Sequence, residues 1–132
     1  MKENIIRDKS FNFAVRIVNL NKYLVSKKKE FVLSKQVLRS GTSIGANVEE
    51  AIGGISKSDF SNKISIAYKE SRETHFWLRL LHSTEYIDKT MYDSLIIDCD
   101  ENCYLFDKMR RHGRHAKAIR RKPIATIVVS YL

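Results

Sequence analysis

One proline, Pro123, stands in 132 residues, and glycine occurs only five times. So little turn chemistry argues against an all-β fold of many short strands, and 43% hydrophobic content argues against a disordered chain. Two cysteines, Cys99 and Cys103, are too few for a disulfide framework or a cysteine-based structural metal site. They lie four apart on a predicted helix and so share one face. They read as free thiols in or near a core, as a reducing compartment would allow. No apolar run reaches the roughly 18 residues of a membrane helix. The start, Met1-Lys2-Glu3-Asn4, is no signal h-region, so the expected location is the cytoplasm. Acids are missing from one stretch: residues 108–132 hold eight of the 24 lysines and arginines and no Asp or Glu. The remainder is within one charge of neutral, so the net charge of +9 is concentrated at the end. Clustered cations attract phosphate or acidic surfaces.

What is present is helical periodicity. Asp8 or Ser10 caps a first predicted helix running to about Ser26, with Phe13, Ile17, Leu20 and Leu24 on one face. A second spans about Ser34 to Ile52, with Val37, Ile44, Val48 and Ala51 as its stripe and Gly53-Gly54 as its stop. Its middle carries Gly41 and Gly45, each costing about 1 kcal/mol against alanine in a helix interior. Such a choice suits a place where another helix approaches closely. A third opens at Ser58 or Asp59, and Phe60, Ile64, Ala67, Ser71, Thr74, Leu78 and Leu81 alternate at spacings of four and three. A fourth begins near Thr90, with Met91, Leu95, Cys99, Asn102, Phe106 and Met109 on its inner side. Short links between four helices predict an all-α, antiparallel up-and-down four-helix bundle over 1–109. Residues 110–132 form an atypical tail, first basic and then apolar. Ile124–Leu132 reads as an extended segment that must pair, pack or fray.

The segment Ser34–Ala51, with Arg39-Ser40, Ser43-Ile44 and Ala46-Asn47 inside it, resembles a known bacterial family. Glu73-Thr74 followed by Trp77-Leu78 strengthens the likeness. The pattern resembles the four-helix-bundle proteins encoded in intervening sequences of 23S ribosomal RNA genes, also called the S23 ribosomal protein family. The accessory variability determinant of diversity-generating retroelements is a related bundle. The resemblance covers about residues 8–107. It implies a homopentamer, and association with nucleic acid through the related accessory protein; it implies no established activity. The family's fourth helix closes on an apolar turn, whereas Asn102–Met109 here gives way to the basic run, which puts assembly contacts made by that end in question.

Catalysis finds little support. Ser40, Thr42, Ser43 and His75 form no Gly-x-Ser-x-Gly elbow, and no strand precedes the serines. Glu49, Glu50, Glu70 and Glu73 lack the Glu-x-x-His pairs of di-iron bundles. No cofactor or metal is expected. The leading expectation is a non-enzymatic oligomer that binds RNA or DNA backbone electrostatically. Its phosphate contacts are Arg39, Lys63, Lys69 and Arg72 on the bundle, with Arg110, Arg111, Arg114, Arg120 and Arg121 in the tail. The alternative is a scaffold recruiting a protein partner; contact with a membrane surface ranks below both. Gly41, Gly45, Ala67, Ser71, Thr74 and Trp77 belong either to helix packing within the bundle or to an interface between copies. Arg39, Asn47, Glu70 and Glu73 read as polar contacts fixing helix register or as a polar surface site.

Overall fold

The computed structural model describes residues 2–112. Over that span the chain forms four helices, α1 (Lys2–Ser26), α2 (Leu33–Ile52), α3 (Lys57–Ser83) and α4 (Lys89–His112). Each packs against its sequence neighbour, and α1 closes on α4, while the diagonal helices stand farther apart across the shared core. This is the expected up-and-down bundle. The α1–α4 seam is by far the sparsest of the four. Ion pairs span it, Arg16 to Asp98 at 2.7 Å and Lys9 to the largely buried Glu101.

Helix α1 starts earlier than the sequence predicts. Ile6 is 1% exposed and extends the inner stripe by one turn, while Ser10 is buried in that stripe and caps nothing. Its hydroxyl donates to the Arg7 carbonyl at 3.2 Å. A small residue there lets α2 come close, since a β-carbon on Gly45 would lie 3.3 Å from the Ser10 carbonyl oxygen.

The start of α2 is held from outside the helix. The Glu30 carboxylate accepts from the backbone N–H groups of Val32, Leu33 and Ser34 at 3.2, 3.0 and 2.7 Å. Burial would push that carboxyl up, but these donors and the Ser34 hydroxyl outweigh it and hold it below 4.5. At the start of α3 the Ser56 hydroxyl accepts from the Asp59 N–H at 3.0 Å; the Asp88 carboxylate does the same for Met91 of α4 at 2.8 Å. Gly53 closes α2 as expected, at φ −81°, outside the left-handed region. Lys29 and Glu85 adopt positive φ at the two turns of the opposite end.

The core matches the periodic pattern. Phe13, Ile17, Leu20, Leu24, Val37, Ile44, Val48, Ala51, Ile64, Leu78, Leu81, Leu95, Cys99 and Phe106 are all buried. The 109/110 boundary falls inside α4, which continues through Arg110 and Arg111. Arg114, Arg120, Arg121 and the apolar segment lie outside the described residues.

Candidate nucleic-acid interface

The small residues sit inside the bundle. A β-carbon on Gly41 would stand 2.7 and 2.8 Å from the Ile17 side chain of α1, so this glycine sets the α1–α2 approach. Ala67, Ser71 and Thr74 are fully buried. Thr74 donates to the Ser40 hydroxyl across α2–α3 at 2.9 Å, and the Cys99 thiol donates to the Ser71 carbonyl across α3–α4 at 3.4 Å. Within one chain these positions are taken up by helix packing.

Arg39 and Lys63 flank the α2–α3 seam and are engaged there. Arg39 pairs with Glu73 and lies 3.5 Å from Glu70, and Lys63 pairs with Glu50 at 2.8 Å. The Trp77 indole N–H donates to Glu73 at 2.9 Å, which ties this ring to the same cluster. Burial pushes the Glu70 carboxyl above 4.5, the neighbouring Glu73 adds to it, and Arg39 opposes both. The register-fixing role fits this geometry better than phosphate contact, because a phosphate would have to displace a carboxylate. Asn47 takes no part, since its side chain donates to the Ser43 carbonyl within α2.

Arg39→Gln is expected to destabilise the bundle by about 1 kcal/mol at neutral pH, the upper end for a solvent-exposed ion pair because the guanidinium is half in water. The sign follows from Glu70. An acid whose folded pKa is raised opposes folding once ionised, and losing Arg39 raises it further. The deficit should therefore shrink as pH falls toward 4.5 and be full at pH 7, as urea melts at both pH values would show.

Two groups of cations without an ion pair lie elsewhere. Lys69, Arg72 and Arg79 are exposed on the outer side of α3 and have no ion pair among the described residues. With Phe76 they follow spacings of three, four and three, so all four share one side of the helix. Phe76 is 50% exposed, and its ring meets Trp77 edge-on at 5.0 Å. A second group, Lys22, Lys27, Lys28, Lys29 and Lys35, gathers at the α1–α2 turn beside exposed Phe31 and Val32. Arg110 and Arg111 both pair with Asp107, and the Arg110 guanidinium lies 4.2 Å from the Tyr68 ring centre. Arg110 is thus folded onto the bundle, and both arginines are partly neutralised, although Arg111 stays exposed.

Beside the α3 cations, α3 and α4 enclose a groove of about 320 Å³ lined by Arg72, His75, Phe76, Arg79, Asp100 and Cys103. His75 approaches Asp100 at 3.3 Å. Burial raises the Asp100 carboxyl, while His75 and Arg72 draw it down. Burial also raises the Cys103 thiol, and Cys99 much further. Both cysteines are free, and both are held away from the reactive thiolate form.

Of the predicted phosphate contacts on the bundle, only Lys69 and Arg72 come together unpaired. Sequence reasoning missed Arg79 and Phe76, because it followed the buried stripe of α3 and not the repeat running along its outer side.

The model of the family described as 23S rRNA-intervening sequence protein matches residues 2–107. The chain belongs to this family. It is also similar to a protein of unknown function from the S23 ribosomal protein family of Bacteroides thetaiotaomicron VPI-5482, whose crystal structure superposes with a TM-score of 0.82. The two are 54% identical over 84% of this chain and 99% of the other. No curated protein matches the chain. Within the family, then, the four-helix core is shared, and residues 108–132 lie beyond the matched region. No helix among the described residues is long and apolar enough to cross a membrane.

Proposed function

We propose that this member of the intervening-sequence family is a non-enzymatic, self-associating bundle of the cytoplasm that binds the backbone of RNA or DNA electrostatically. The observation carrying this reading is the division of charge. Glu49, Glu50, Glu70, Glu73, Asp93, Asp98, Glu101 and Asp107 are each matched to a cation, and Glu30 and Asp88 cap helices, while Asp8, Asp59 and Glu85 have no ion pair among the described residues. Lys69, Arg72 and Arg79 on α3 and the five lysines near the α1–α2 turn remain for an outside anion. Affinity from such contacts comes from counterion release and reads shape and charge more than sequence.

Self-association, with the pentamer as the expected size, is supported by Phe11, Val15 and Val18. They form an exposed apolar stripe along the outer side of α1, at 63%, 45% and 37% exposure. The same stripe favours the second reading, in which it recruits a protein partner. Purified protein should carry excess absorbance at 260 nm before nuclease treatment and have the light-scattering mass of five chains after it. A nucleic-acid-free monomer would count against both parts. One protein retained after nuclease treatment would favour the scaffold.

A further inference from the structure

We propose that the α3–α4 groove is a stacking site for single-stranded nucleic acid, with an unpaired base on the Phe76 ring and the flanking phosphates on Arg72 and Arg79. This rests on the electrostatic reading above and names the form of nucleic acid it selects.

Phe76 stands between the two arginines on one side of α3. At 1.5 Å rise per residue, Arg72 and Arg79 are roughly 10 Å apart along the axis, so they bracket a base placed on the ring between them. The ring is half exposed, so part of it is open to a ligand, and it packs edge-to-face with Trp77 at 5.0 Å. A concavity of about 320 Å³ has the scale of a small-ligand pocket and so of one nucleotide, not of a duplex. In a duplex the base faces are already stacked on one another, and only phosphates could reach the arginines. A single strand offers both, and stacking on an aromatic ring tolerates any base because every base has a π-face.

Asp100, on the α4 wall, is the one carboxylate in the lining. It lies 3.3 Å from His75, so the groove is not purely cationic. This favours a ligand that brings a base as well as charge over a bare anion.

The test uses the intact chain with a labelled single-stranded oligothymidylate and the same strand paired with oligoadenylate, followed by fluorescence anisotropy at one low salt concentration. The single strand should bind more tightly. Phe76→Ala should weaken single-strand binding about tenfold and leave the duplex nearly unchanged, and Phe76→Trp should restore it. Circular dichroism of each variant checks that the half-exposed site tolerates the change. Equal binding of strand and duplex, or indifference of the single strand to Phe76→Ala, would overturn the stacking site. If Arg72→Gln with Arg79→Gln still weakened binding in that case, the electrostatic reading would survive. Binding of neither probe would remove both.

Discussion

Gly41→Leu is expected to destabilise the bundle by about 3 kcal/mol, although leucine is the better helix former by roughly 1 kcal/mol. The added β-carbon alone would sit 2.7 Å from Ile17, which is branched and fully buried. The rest of the leucine would have to enter the same space. Either Ile17 leaves its rotamer or α1 and α2 separate, and separation would also disturb the contact of Gly45 with the Ser10 backbone. Urea unfolding followed by helical circular dichroism should show a lower midpoint with little change in slope. An unchanged midpoint with a reduced light-scattering mass would instead place Gly41 between copies of the chain.

The second large effect concerns binding. Neutralising Lys69, Arg72 and Arg79 together to glutamine should weaken single-stranded nucleic-acid binding by more than tenfold at low salt. It should also lower the slope of log affinity against log salt by roughly 2, since each phosphate contact on a single strand contributes about 0.7. All three side chains are exposed and have no ion pair among the described residues, so the fold should tolerate the change. Arg39→Gln serves as the contrast. Its guanidinium is held by Glu70 and Glu73, so its loss should lower stability while leaving the salt slope nearly unchanged. A variant that lost all three α3 cations yet bound with the wild-type slope would move the contact elsewhere, with Lys27–Lys29 next in line.

The core was legible because burial in a bundle repeats with helical period. Ile64, Ala67, Ser71, Thr74, Leu78 and Leu81 fall on the inside of α3 as the four-three spacing dictates. Helix starts were less legible, because their caps depend on contacts that sequence spacing does not reveal. Glu30 holds α2 from beyond its first residue, and Ser10, which has the chemistry of a cap, is instead a small residue at a close helix crossing. Charge was the least legible property. Arg39 and Lys63 have the composition of phosphate contacts, but each meets a carboxylate from the neighbouring helix. Arg79 became a candidate only once α4 was seen to build a groove wall beside it. Residues 114, 120 and 121 of the predicted set, outside the described residues, add charge of the same sign.

The most direct measurement of the central claim is the affinity of the intact chain for single-stranded nucleic acid, titrated from about 50 mM to about 200 mM salt. A straight fall of log affinity against log salt is expected, with a slope of at least the roughly 2 assigned to Lys69, Arg72 and Arg79. Binding that ignores salt, or no binding at the lowest salt, would contradict it.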